Sequence, residues 1–538
     1  MQKAQDIEEL FDAAEDGDPY AQNELAISFA NGIDLPKDME EAYLWFKEAA
    51  DQEYGAAMIN LARMYEIGDF VVQDYEEAAK LYEKAVQQGE TDALNYLANL
   101  YLKGKGVEKN PQKAVDLYKQ AANQKNKRAF FNLGSIYEDS GEIVQDLKEA
   151  AKWYELGAKE GDPKSQCAIG YFYDIGAGIS QDKQKAFDWY QKAAAQGFTL
   201  AQRNLAIMYE NGDGIKQDIQ EAFLLYKKAA EKGDAGAQCN LGYFYEHAKS
   251  VPQNIAQAVK WYEKSAEQGD KYAQCNLAYF YEIGRGVKQD YKKALQLYKK
   301  SAEQGFGRAL NCLAILYLNG YGVEKDYKEA FKFAQEAAKK GSISAQYTLG
   351  YLYENGFGIE QNYEKAEQCY AIAAQADDER AQNALGYFYE DGLNGEKNYE
   401  KAFFWYEKSA KQDYVYAAYN LARLYELGRG VDKDMQKAFE FYLKAANDNY
   451  ANAQYEVGRF YEFGLSPQKD INKAKEFYAK AADKNDSYAI DRLIAINKSE
   501  NPDPKERPIT RKTEMITATA FLLVLTILIV AHWMLKIY

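Results

Sequence analysis

Apolar and polar positions follow a single period through most of this chain. A small residue returns every 36 positions, at Ala21, Ala57, Ala93, Ala129, Ser165 and Ala201, then through Ala237, Ala273, Ala309, Ala345, Ala381, Ala417 and Ala453 to Ala489, without insertion or deletion. An aromatic stands eight residues after each of the first markers, at Phe29, Tyr65, Tyr101, Tyr137 and Tyr173, and a second alanine lies near the middle of each unit, as at Ala42, Ala78, Ala114 and Ala150. A fixed period of roughly 20–50 residues marks a chain built by repeating one supersecondary unit.

Within a unit, Ala201, Leu205, Ala206, Met208 and Tyr209 make the stripe of an amphipathic helix, helix A. Gly212 and Gly214 end it, because glycine reaches left-handed backbone conformations without strain. Asp218 follows, and every unit has Asp or Asn at this register, from Asp38, Asp74, Asn110, Asp146 and Asp182 to Asp434 and Asp470. Such a side chain accepts hydrogen bonds from the free amides that open a second helix, helix B. Glu41, Glu77, Glu149, Glu221 and Glu329 stand three residues after their caps, where they can close a reciprocal capping box. Helix B directs Ala222, Leu225, Tyr226, Ala229 and Ala230 inward and ends at residues such as Gly233, Gly269, Asp413 and Asn449, which suit a left-handed C-terminal cap. One hairpin cannot bury its own apolar face, so stacked copies predict an all-α fold, an α/α superhelical solenoid of helix-turn-helix repeats.

The boundaries read as an N-terminal capping half repeat over 1–17, thirteen units over 18–485, a capping helix over 486–497, a basic, proline-containing linker over 498–514, one C-terminal transmembrane helix over 515–535 and a short tail over 536–538. Residues 515–535 are apolar apart from Thr517, Thr519, Thr526 and His532. About twenty such residues cross a hydrocarbon core of roughly 30 Å. Lys505, Arg507, Arg511 and Lys512 precede the span and Lys536 alone follows it, which predicts repeats facing the cytoplasm. Residues 1–10 contain no apolar run of the kind a secretory signal needs. The expected protein is single-pass and tail-anchored.

Composition agrees with helix: there are 47 tyrosines but only 9 prolines, so helix breakers are rare. The net charge of −16 is spread along the chain and would repel nucleic-acid phosphate, so no nucleic-acid partner is expected. Cys167, Cys239, Cys275, Cys312 and Cys369 show neither zinc-site pairs nor a disulfide framework and read as reduced, small apolar residues. With only His247 and His532, far apart, neither a histidine metal site nor a histidine-activated nucleophile can be assembled. Gly104-Lys105-Gly106, Gly176-Ala177-Gly178 and Gly284-Arg285-Gly286 lack the residues that hold a phosphate and read as turns. These features predict no enzyme, no cofactor, no metal and no small-molecule substrate.

The recurring string Ala201…Leu205-Ala206…Tyr209…Gly212-Asp213-Gly214-Ile215…Asp218…Glu221-Ala222…Tyr226-Lys227-Lys228-Ala229-Ala230…Gly233 resembles the Sel1-like repeat, a relative of the tetratricopeptide repeat. That resemblance implies a superhelical adaptor that assembles protein complexes, often at membranes. Two units depart from it: Glu138-Asp139-Ser140-Gly141-Glu142 and Glu246-His247-Ala248-Lys249-Ser250-Val251-Pro252 lack the Gly-x-Gly turn, which predicts less regular loops there.

By the same resemblance, helix A lines the inner surface. Six residues after the marker stand Tyr171, Tyr243, Tyr279, Tyr351 and Tyr387, and three further on stand Asp174, Glu246, Glu282, Glu354 and Glu390. Residues three apart share a helix face, so these ladders predict a groove of aromatic contact flanked by negative charge, fit for a partner segment carrying Lys or Arg. The alternative is that the tyrosines pack between repeats and the acids are merely solvated. Two functions follow: a membrane-anchored scaffold that recruits partner proteins, or a regulatory or chaperone-like subunit of a membrane complex, as a quality-control adaptor or an activator of a separate enzyme.

Overall fold

A computed structural model of the chain describes residues 2–139, 141, 143–465 and 468–497. Regular structure among the described residues is wholly helical, with 28 α-helices and no strand. Helix α1 (Gln2–Glu15) precedes thirteen hairpins, the first made of α2 (Pro19–Asn31) and α3 (Met39–Asp51) and the last of α26 (Ala451–Phe463) and α27 (Ile471–Ala482). Helix α28 (Ser487–Asn497) follows them.

One hairpin shows how the sequence sets the fold. Helix α12 (Thr199–Asn211) stops because Gly212 turns to a φ of 77° and donates its amide to the Met208 carbonyl. Six residues on, the Asp218 amide donates to the Tyr209 carbonyl at 2.9 Å, closing the turn. The Asp218 carboxylate accepts the Glu221 amide at 3.0 Å and so opens α13 (Ile219–Glu231). Gln217 donates its side-chain amide to the Glu210 carbonyl at 2.7 Å, satisfying one of the acceptors that every helix end leaves free. The hairpin around Asp74 repeats this arrangement through Gln73, Tyr65 and Glu77.

The unit lacking Gly-x-Gly at 248–250 is more regular than its sequence predicts. Ala248 and Ser250 occupy the glycine registers at φ 56° and 62°, and the Asn254 amide still closes the turn on the Tyr245 carbonyl at 2.9 Å. The backbone bond dictates the geometry, and small side chains tolerate it. In the other departing unit, α8 (Lys127–Glu138) ends on an extended Asp139 at φ −81° and ψ 134° in place of a left-handed glycine; residues 140 and 142 lie outside the described residues.

The chain divides into two units, one ending at Leu241 and one beginning at Gly242. In each, the core is a series of alanines with interleaved large side chains. Ala42, Phe46, Ala78, Tyr82 and Leu97 represent it in the first unit, and Ala402, Tyr406, Leu421, Tyr442 and Phe460 in the second. Helix B supplies a column of tyrosines less than 2 % exposed: Tyr82, Tyr118, Tyr154, Tyr190 and Tyr226, then Tyr262, Tyr298, Tyr370, Tyr406, Tyr442 and Tyr478. Each ring needs a small residue opposite it on helix A. A Cβ on Gly134 would come within 2.4 Å of the Tyr154 ring, and one on Gly350 within 2.6 Å of Tyr370. Glutamine after the marker is buried too: Gln202 donates to the Ala194 carbonyl at 3.2 Å, and Gln382 to Ala374 at 3.1 Å, tying one repeat to the last turn of the preceding helix B.

The predicted linker, membrane span and tail, at 498–514, 515–535 and 536–538, lie outside the described residues. Among the described residues no helix is long and apolar enough to cross a membrane.

Candidate functional site

The tyrosine register of helix A is occupied in both units. In the first, Tyr171 on α10 (Pro163–Ile175) is 45 % exposed. In the second, Tyr243 on α14 (Ala235–Glu246), Tyr351 on α20 (Ile343–Asn355) and Tyr387 on α22 (Glu379–Asp391) are half-buried. Tyr279 on α16 (Lys271–Ile283) is buried at 1 % exposure. Its hydroxyl finds no hydrogen-bond partner among the described residues.

The half-buried rings are held in place by neighbours. The Tyr243 ring lies 4.2 Å from the His247 ring, with the Lys249 ammonium 4.6 Å from its own centroid. Tyr351 packs at 5.9 Å on Phe357, which stacks on Tyr327 at 4.5 Å. Burial pushes the Tyr351 phenol up to about 12, so at neutral pH it keeps its proton and remains a donor.

The acid register has a different surrounding. Glu246, Glu282 and Glu390 are buried at 4, 4 and 3 % exposure. Each accepts a hydrogen bond from the tyrosine of the following helix B: Tyr262 on Glu246 at 2.8 Å, Tyr298 on Glu282 at 2.7 Å and Tyr406 on Glu390 at 3.0 Å. Half-buried Glu354 accepts from Tyr370 at 2.7 Å. Asp174, one methylene shorter, pairs with Lys183 and not with the buried Tyr190 hydroxyl.

Tyrosine and acid therefore share one helix, but the three-residue step turns them apart by about 60°. Four of the five tyrosines keep some open surface and Tyr279 is closed over, while the carboxylates of Glu246, Glu282, Glu354 and Glu390 meet helix B of their own hairpin.

Sequence reasoning missed this partnership, although a signal for it exists. An acid lies sixteen residues before the helix B tyrosine in every unit that has one except that of Tyr118, where Leu102 stands, and where the phenol is lost the acid is lost with it, as in Ala30 with Phe46 and Leu318 with Ala334. It also missed arginines of the next repeat that reach the same carboxylates. Arg285 approaches Glu246 at 3.2 Å, Arg423 approaches Glu390 at 3.3 Å, and Arg459 approaches Glu426 at 2.5 Å.

Burial dominates the electrostatics of the site. It raises the Glu246 carboxyl, against the opposing effects of the Tyr262 hydroxyl and the Arg285 charge, and pushes Glu282 up to about 7. Burial, then the nearby Arg285 and Lys249, lowers His247 to about 4. His247 is therefore neutral near pH 7, and its 3.6 Å approach to Glu246 is no ion pair.

The sequence model of the family described as Sel1 repeat matches the chain thirteen times, from 19–54, 55–90 and 91–126 through 415–450 and 451–486, with its fourth copy at 128–162 and its ninth at 308–342. The chain belongs to the Sel1 repeat family. Proteins of this family bind other proteins.

Among solved structures, the Sel1 array is similar to c5321, a protective antigen present in uropathogenic Escherichia coli strains and displaying an SLR fold, at 28 % identity, with 94 % of this chain and 99 % of that one covered and a TM-score of 0.60. A Sel1 repeat protein from Oxalobacter formigenes matches at 29 % identity over 58 % of this chain and 90 % of that one, with a TM-score of 0.44. No curated protein matches the sequence.

In these Sel1 hairpins, no group of three or more His, Cys, Asp or Glu side chains among the described residues could hold a metal ion. Burial raises the Cys167 thiol to about 12 and Cys369 to about 11, which keeps both as unreactive thiols.

Proposed function

We propose that this Sel1 repeat protein is a non-catalytic scaffold, anchored in a membrane by residues 515–535 with its repeats on the cytoplasmic side, and that it recruits partner proteins through the tyrosines of helix A. The observation that carries this reading is the state of the ladder. Tyr171, Tyr243, Tyr351 and Tyr387 keep open surface while standing on helices whose polar groups are tied into the fold. A tyrosine held in this way offers large contact area with a polar tip at little entropic cost, which favours its use at protein interfaces.

The internal bonding of Glu246, Glu282 and Glu390 leaves them a supporting role: they hold helix B against helix A behind the rings. Asp174 and Glu354 are only half-buried, but Asp174 is paired with Lys183 and Glu354 accepts from Tyr370, so attraction of a partner's Lys or Arg falls to the acidic surface around the ladder as a whole. The anchor reading rests on the apolar run after Met515 and on the basic residues between Lys505 and Lys512.

The direct test replaces Tyr243, Tyr351 and Tyr387 with serine in the full chain and compares proteins co-purified from membranes with those of the unmodified chain. Loss of specific partners with unchanged helical circular dichroism is expected. Recovery of the same partners in the same amounts would discard the ladder as the binding face.

A further inference from the structure

The turns between helices A and B of the first two repeats carry Asp34 and Phe70 at the second glycine register, where the third, fifth and sixth repeats carry Gly106, Gly178 and Gly214. At the second glycine of the turn, a Cβ on Gly106 would stand 2.1 Å from the Tyr75 carbonyl oxygen, on Gly178 2.4 Å from the Leu147 backbone and on Gly214 2.6 Å from the Lys183 Cβ. The second repeat places Phe70 at that register, at a φ of 69°. Other described non-glycine residues with positive φ are Asp, Asn, Glu, Lys, Ala and Ser; Phe70 alone among them carries a ring. A bulky residue in the left-handed region is a genuine outlier, and strain of this kind is kept where function needs it.

The ring gains little from the fold in return. Phe70 is 51 % exposed and touches Tyr43 at a centroid distance of 5.9 Å. In and beside the same two turns Ile33, Ile67 and Val72 are exposed as well, Val72 at 89 %. At the register of Val72 the third, fifth and sixth repeats carry Glu108, Ser180 and Lys216, and the fourth carries Val144, itself 87 % exposed. The exposed charges that flank these turns in sequence, taken as the rim, are mostly acidic: Asp34, Asp38, Glu40, Asp69, Asp74 and Glu76, against Lys37, Arg63 and Lys105, which reaches the Tyr75 hydroxyl at 2.8 Å from the next repeat.

We propose that these two turns form an apolar docking patch for a partner protein segment in which bulky apolar side chains are flanked by Lys or Arg. Charge selects the occupant. The acidic rim repels anionic lipid and a second copy of a chain carrying −16, and attracts a cationic flank. The apolar centre supplies contact area that stays open among the described residues. The inference rests on the reading of the chain as a protein-binding array and adds a surface separate from the helix A ladder.

The test uses the full chain and a phage-displayed library of random dodecapeptides, selected on the unmodified protein and counter-selected on a variant carrying Phe70→Gly, Ile67→Ser and Val72→Ser. Enriched peptides should place Lys or Arg within two positions of a bulky apolar residue and lose at least tenfold in affinity for the variant. They should keep their affinity for the Tyr243, Tyr351 and Tyr387 serine variant, so failure of the ladder and failure of this patch are told apart. Phe70→Gly alone should leave the melting temperature unchanged or higher, because glycine belongs at that register. A lower melting temperature would make Phe70 a packing residue and overturn the proposal. So would selected peptides that bind both proteins equally or lack cations, or self-association of the full chain that the variant abolishes.

Discussion

Tyr298 and Glu282 show how a single pair governs a repeat. The phenol donates to the carboxylate at 2.7 Å inside a site where both groups are buried, and burial holds the carboxyl near 7. Because the folded carboxyl binds its proton more tightly than an unfolded one, the folded state keeps a proton that the unfolded chain has lost between about pH 4.5 and pH 7. This pair therefore contributes most stability below that window and loses it as pH rises through 7. Glu282→Gln should flatten the dependence and stabilise the protein at pH 8 by on the order of 2 kcal/mol, seen as converging urea midpoints at pH 5 and pH 8. Tyr298→Phe leaves the buried carboxylate short of its donor and should cost about 1–3 kcal/mol in the same assay. Helical periodicity alone assigned the acids to the face of their neighbouring tyrosines. It could not show that sixteen residues later a phenol stands against them, since which faces of two helices meet is a matter of packing.

At the scale of the element, the turns carry the register. Gly358 sits at φ 75°, and a Cβ there would lie 2.0 Å from the Tyr327 carbonyl oxygen of the preceding repeat. Gly358→Ala therefore meets both backbone strain and a backbone clash, and should destabilise by about 2 kcal/mol or more, measured by thermal melting. Asp218→Ala removes only a cap, and a loss of about 1 kcal/mol is expected from the same measurement. The caps, the helix-ending glycines and the left-handed ends of helix B were legible in the sequence, because each is a local preference of one residue type. The regular turn at Ala248 and Ser250 was not legible, because the bond from Asn254 to the Tyr245 carbonyl overrides the missing glycines.

For the whole molecule, the proposed function assigns binding to the repeats and placement at a membrane to the C-terminal segment. A chain ending at Asn497 keeps all thirteen hairpins and α28. It is expected to stay helical and to leave the membrane fraction after a salt wash, whereas the full chain sediments with membranes. Equal sedimentation of the two would remove residues 515–535 from the account of membrane attachment. Protease treatment of sealed vesicles tests the orientation: repeats on the cytoplasmic side are digested without detergent.

The period, the helix pairs, their caps and membership of an α/α repeat family were determined by the sequence itself, since each follows from local preferences repeated thirteen times in one register. Tertiary structure alone decided the roles within that plan. It turned Glu246, Glu282 and Glu390 inward onto tyrosines of helix B, left Tyr243, Tyr351 and Tyr387 partly open while closing over Tyr279, and set Phe70 outward among acids. The physical reason is that burial and hydrogen bonding depend on which side chain of a neighbouring helix fills the facing space. A periodic sequence states which residues share a face and leaves open what that face meets.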